Sequence, residues 1–153
     1  MTPDIDRQVA IDTATALPTQ ADLEAWVGAV FARHPDETRM EMTVRFISPE
    51  ESQTLNRDYR GKDKPTNVLS FPFETPPGMS LPLLGDLAIC HDVVVTEAAA
   101  QEKHLAHHYT HMVIHGTLHL LGYDHIDERE AEEMEALERE LLAGFKIGDP
   151  YAE

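Results

Sequence analysis

Apolar positions recur along this chain with two different periods, and the switches between them outline its elements. Over 41–47, Met42, Val44 and Phe46 alternate with Thr43 and Arg45, which predicts a half-buried strand. Residues 83–90 (Leu-Leu-Gly-Asp-Leu-Ala-Ile-Cys) predict a second strand, and 68–73 a third, in which Pro72 demands an edge or a strand end. A looser alternation over 8–12 predicts a first strand. Helical spacing governs 19–34, where Leu23, Trp26, Val27, Val30 and Phe31 share one face and Pro35 ends the run. Ser48 and Glu51 suggest a capping box for a short helix that carries Leu55 and runs out near Arg60-Gly61.

A polar loop is expected over 62–65, and a second loop over 74–82, where prolines and Gly78 crowd together. Beyond residue 90 the pattern is helical: one helix over 92–103, one over 104–121, and a last one N-capped by Asp127. Met134, Leu137 and Leu141 form its apolar stripe, with Gly144 near its end. There is no internal repeat and no linker. Strands early and helices late predict a single α+β domain over 1–153.

Composition changes this picture little, but charge does. An apolar fraction of 42% and a charged fraction of 26% suit a soluble globular domain. Cys90 is the only cysteine, so no internal disulfide can form, and it is expected as a small buried residue. No signal peptide or membrane-spanning run is visible, which leads to the expectation of a cytoplasmic protein that binds no membrane. The net charge of −16 argues against strong autonomous binding to nucleic acid. That charge is uneven. Residues 124–153 carry eleven acids against three bases, whereas Arg57, Arg60, Lys62 and Lys64 face only Asp58 and Asp63 over 57–64. Local potential at a cleft outweighs the bulk sum, although a solvated loop gives the same count.

The candidate chemistry lies in His115-Gly-Thr-Leu-His119-Leu-Leu-Gly122-Tyr-Asp-His125. Residues i and i+4 share a helix face, so His115 and His119 can grip one ion. Gly122 can end the helix and turn the chain, bringing His125 to the same ion. Three imidazoles leave one coordination position open, as catalytic zinc sites do; nickel or copper also suits such a donor set. His111, one turn earlier, is either an orienting group behind a ligand or a half-buried polar residue. His104, His107 and His108 are expected to be solvated, and His34 and His91 give no usable signal. Asp124 either orients a ligand or stabilises the turn. Met134 is either the floor of the metal site or ordinary core.

The spacing copies the zinc-protease pattern H-E-x-x-H-x-x-G-x-x-H except at position 116, where glycine replaces the glutamate that serves as general base. Peptide hydrolysis is therefore disfavoured. A phosphodiester suits the site better, because its oxygens can bind a metal while an arginine neutralises developing charge. That gives Arg60, Lys62 and Lys64 a use.

The segment 55–72 (Leu-Asn-Arg-Asp-Tyr-Arg-Gly-Lys-Asp-Lys-Pro-Thr-Asn-Val-Leu-Ser-Phe-Pro), then Leu84-Gly-Asp86, the histidine motif and Met134-Glu-Ala-Leu-Glu138 together resemble the YbeY endoribonucleases. The resemblance runs from about Val44 to the C-terminus. It implies a zincin-like α+β fold, with a small mixed sheet packed by helices and a metal site at the end of a helix. It implies a metal-dependent endonuclease on single-stranded RNA, active in 3′-end maturation of 16S ribosomal RNA and in ribosome quality control. His115, His119 and His125 would be ligands of Zn²⁺, with Ni²⁺ a possible substitute, and Arg60 would be the functional arginine. Partners would be ribosomal RNA, the small ribosomal subunit and its associated proteins, with no role for DNA. The nucleophile stays open between metal-activated water and the RNA 2′-hydroxyl. Asp86 is either a cleft residue or a loop tie. Thr66, Asn67 and Ser70 either meet RNA backbone or hold the strand edge. A metallopeptidase and a non-catalytic ribosome-assembly factor with a structural metal are the alternatives.

Overall fold

A computed structural model describes residues 2–13, 15–123 and 127–151. Its order is β1 (Asp4–Val9), α1 (Gln20–Ala32), β2 (Glu41–Ile47), α2 (Pro49–Arg60), β3 (Val68–Pro72), β4 (Leu83–Cys90), α3 (His91–Ala100), α4 (Leu105–Leu120) and α5 (Glu128–Gly144). The sheet runs β1-β2-β4-β3. β1, β2 and β4 are parallel, and β3 pairs antiparallel to β4. The result is a mixed α+β fold, as the periodicities predict. β3 is an edge strand, which is where Pro72 is tolerated.

The two clearest strands fall where the pattern places them. β2 and β4 match 41–47 and 83–90 residue for residue. β1 spans Asp4–Val9 rather than 8–12, because its polar composition buries only Ile5 and leaves a weak periodic signal. All five apolar residues expected on α1 are buried, and Thr19 closes a full capping box with Asp22. The box expected at Ser48 is only half formed. Ser48 Oγ accepts from the Glu51 amide, while the Glu51 carboxylate turns instead to Arg45 on β2.

One sheet face, with Ile5, Met42, Val44, Phe46, Leu87 and Ile89, packs on α1 and α4, and α5 completes the core against α4. The other carries a smaller cluster of Ile47, Leu69, Ala88 and Cys90 beneath Leu55 of α2. α4 runs through the middle of the main core. A helix buried nearly all round is apolar nearly all round. Between residues 108 and 120 only His115 and His119 are not buried. These two histidines mark where the central helix surfaces.

Gly116 explains how closely α4 approaches the sheet. A Cβ there would lie 2.8 Å from Leu87 Cδ2 and 3.2 Å from Val68 Cγ2. Gly116 is therefore a packing requirement as well as a missing general base. Gly116→Glu is expected to lower stability by about 3 kcal/mol or more, by overpacking and burial of a carboxylate. Thermal unfolding measures the loss, and no peptidase activity should appear. A variant of unchanged melting temperature would show that the helix has room to spare.

Candidate metal centre

His115 and His119 lie one helical turn apart at the C-terminal end of α4, with their Nε2 atoms 3.1 Å apart. The opposite nitrogen of each ring is fixed. His115 Nδ1–H donates to Glu138 Oε1 at 2.9 Å, and His119 Nδ1–H donates to the Tyr123 carbonyl at 2.8 Å. A carboxylate and a carbonyl only accept, so both Nδ1 atoms carry a proton, and in the neutral tautomer each Nε2 presents a lone pair. Two lone pairs at this separation repel unless a cation or a proton sits between them. A Zn²⁺ at about 2.0–2.1 Å from each nitrogen in tetrahedral geometry would set them about 3.3 Å apart. The donor set and its spacing fit such an ion.

A second grouping is nearby. His111, His115 and Glu138 offer ligand atoms within 4.8 Å of one another, and together they form a three-residue group able to hold a metal. Its distances are those of hydrogen bonds. His111 Nε2 is 2.5 Å from Glu138 Oε2 and His115 Nδ1 is 2.9 Å from Oε1. An ion shared by nitrogen and oxygen ligands would hold those atoms roughly 3.3 Å apart. The Glu138 cluster is better understood as the support behind His115. Glu138 is fully buried. Burial pushes its carboxyl up, but hydrogen bonds from His111 and His115 outweigh burial and hold its pKa at about 2. The carboxylate is thus an ionised acceptor that aims the His115 ring, and such a partner would raise the basicity of the opposite nitrogen toward an ion.

The turn after α4 is anchored from α1. His34 Nδ1–H donates to the Val30 carbonyl, leaving Nε2 to accept from Tyr123 OH at 2.8 Å. This tie holds the carbonyl that fixes the His119 tautomer. Gly122 takes φ 104°, a left-handed conformation that suits glycine, and its amide donates to the His119 carbonyl at the turn. His125 and Asp124, which the sequence places just beyond, lie outside the described residues.

The two histidines open into a cleft of about 610 Å³. Its walls include Arg60, Asn67, Ser70 and Tyr123. Arg60 is the last residue of α2, exposed, just before the Gly61 cap. The structure thus brings Arg60 to the same cleft as His115 and His119. Ser70 Oγ donates to the Gly116 carbonyl, and the Asn67 amide donates to Glu97. Thr66 is tied through its amide to Ser52 Oγ. These three residues hold the β3 edge against its neighbours.

Asp86 points elsewhere. Leu87 meets Gly116 of α4, so Asp86, the preceding residue on β4, faces the other side of the sheet. There it lines a separate hollow with Asp4, Asp6 and Thr43. Met134 is fully buried in the core, as is Cys90.

Three features escaped sequence reasoning. Glu138 ends the Met134–Glu138 segment and counts among the acids of 124–153, neither of which gives it a role, yet it stands four residues after Met134 and three before Leu141, on the apolar stripe. His108 is buried rather than solvated, because Glu97 accepts its Nε2–H. His34 gave no signal because its partner lies 89 positions away.

Comparison with known proteins gives one consistent result. The family model described as Endoribonuclease YbeY matches residues 8–146. A protein of Chromohalobacter salexigens named Endoribonuclease YbeY is 82% identical over 154 aligned positions that span all of both chains. The solution structure of TM1509 from Thermotoga maritima matches with a TM-score of 0.53 over 97% of this chain and 100% of that one. At 21% identity that likeness speaks for the fold alone. With the family model covering most of the chain and a relative this similar along its full length, the chain belongs to the Endoribonuclease YbeY family.

Proposed function

We propose that residues 1–153 form one domain that cuts single-stranded RNA at a site built from His115, His119, His125 and Arg60. Membership of the YbeY endoribonucleases makes the chain a metal-dependent endoribonuclease of ribosomal RNA processing. The observation that carries the choice of residues is the pair of Nε2 atoms facing each other at 3.1 Å, each with its Nδ1 proton committed elsewhere, in a cleft that Arg60 also lines.

His115 and His119, with His125 as the third donor, would hold Zn²⁺, or Ni²⁺ in its place. When bound, such an ion supplies Lewis acidity toward a phosphodiester and acidifies water. Glu138 and the Tyr123 carbonyl keep both rings in the tautomer that presents Nε2 to the ion. Arg60 would bind the scissile phosphate by paired N–H donors and offset the charge that builds on its oxygens. Lys62 and Lys64 follow Arg60 in the chain and extend the positive potential along the approach of the strand.

The substrate proposed is small-subunit ribosomal RNA, cut during 3′-end maturation of 16S rRNA and in ribosome quality control. A net charge of −16 disfavours long stretches of phosphate contact, so proteins of the small subunit are the natural carriers of the substrate. A cytoplasmic location follows from that role, and no helix among the described residues is long and apolar enough to cross a membrane.

Incubation with single-stranded RNA and with casein, with and without a chelator, tests the reading. RNA alone should be cut, and chelation should stop the cutting while leaving the melting transition in place, because the core is apolar and preformed. Casein cleavage would favour a peptidase. Global unfolding on chelation, in a protein that never cuts RNA, would favour a structural metal.

A further inference from the structure

We propose that Tyr151 is a positioning residue for the metal centre: its hydroxyl locks the Glu138 carboxylate that orients His115, so the segment after α5 sets how tightly the ion is held. This rests on the reading of His115 as a ligand. Tyr151 lies beyond residue 146, where the family match ends, so the contact is a feature of this chain that the family match does not supply.

The chain reverses after α5. Lys146 takes φ 62°, and the Ile147 amide donates back to the Leu142 carbonyl. Asp149 Oδ1 accepts from the Tyr151 amide at 2.8 Å and closes a turn. The ring then reaches thirteen residues back. Tyr151 OH donates to Glu138 Oε2 at 2.7 Å, and its ring stands edge-on to His111 with centroids 5.6 Å apart. Burial and the neighbouring carboxylate push the hydroxyl above its ordinary range, so it remains a donor.

The consequence follows from the geometry of one carboxylate. Oε2 accepts from His111 and Tyr151, and Oε1 accepts from His115. Three donors fix the plane of the group, and that plane fixes the line of the His115 Nδ1–H bond. The line in turn aims Nε2. Removing the Tyr151 hydroxyl leaves Oε2 with His111 alone, so two donors rather than three define the plane and the carboxylate is held less tightly. Partners that directly support a ligand are worth about 10- to 100-fold in metal affinity. One bond further out, a loss of about three- to tenfold is expected.

Tyr151→Phe removes the hydroxyl and keeps the ring against His111. Zinc affinity is measured by chelator competition, and the melting of the metal-free protein is measured alongside. The proposal expects weaker zinc binding by about three- to tenfold, and it expects Tyr151→Phe to add nothing further in a Glu138→Gln background. Unchanged affinity overturns it, whether or not the metal-free protein melts earlier. So does a full additive effect on top of Glu138→Gln, which would mean that Tyr151 acts by another route. His115→Ala separates the two levels. If that variant keeps its zinc, the reading of His115 as a ligand is what fails. If it loses zinc while Tyr151→Phe binds as wild type does, only the role of Tyr151 fails.

Discussion

Replacing either His115 or His119 by alanine is expected to remove the metal and RNA cleavage together, leaving less than about a tenth of an equivalent of zinc per chain and a rate at background. The proposed three-histidine site would have no spare ligand, and groups that act as one unit fail as one unit. The fold should survive, because both side chains are partly exposed where α4 surfaces and neither fills the apolar core. The two variants should differ in stability. His115→Ala takes a donor from the fully buried Glu138 carboxylate, a loss of about 1–3 kcal/mol. His119→Ala takes a donor from the Tyr123 carbonyl beside the open cleft rather than from a buried carboxylate, and should cost less. Metal content by mass spectrometry, single-turnover cleavage and thermal melting together check all three statements. Full cleavage by either variant, with metal content verified, would remove the histidine pair from the chemistry.

Arg60→Glu is expected to do the reverse, sparing the metal and the fold while cutting the rate by about 100- to 1,000-fold. Arg60 is exposed at the end of α2, so its replacement touches no core contact. A carboxylate at an exposed helix C-terminus is unfavourable by about 0.3–1 kcal/mol, too little to unfold the domain. What the proposed site would lose is a planar, permanently charged donor for the phosphate, and a negative charge would take its place in the cleft. Arg60→Lys should fall between the two, since an ammonium keeps the charge but not the paired geometry. Wild-type single-turnover rates in Arg60→Glu, with zinc intact, would leave the arginine without a function.

How legible these features were depended on how local their causes are. β2 was readable to the residue because one face is buried along most of its length, which writes an alternation, whereas β4 is buried on both faces and was readable as a short, nearly continuous apolar run. α1 was readable because its five core residues lie on one stripe. That Arg60, His115 and His119 share one cleft was legible as an expectation, because the histidine spacing suits a metal and the 55–72 segment is distinctive. Glu138 was not. The site needs an acceptor at His115 Nδ1, but no local rule says which of many acids supplies it; only the packing of α5 on α4 decides. The same holds for His34, which acts through Tyr123 of a distant turn. Gly116 was read as the absence of a catalytic glutamate, whereas its second cause, the approach of Leu87, needs the sheet to be in place.

Two sides of the His115 ring compete for the ion, and locating the ion decides between them. Crystals of protein loaded with one equivalent of zinc, measured at the zinc absorption edge, should give one anomalous peak about 2.0–2.1 Å from Nε2 of both His115 and His119. A peak instead between His111 Nε2, His115 Nδ1 and Glu138, with nothing between the two Nε2 atoms, would contradict the account.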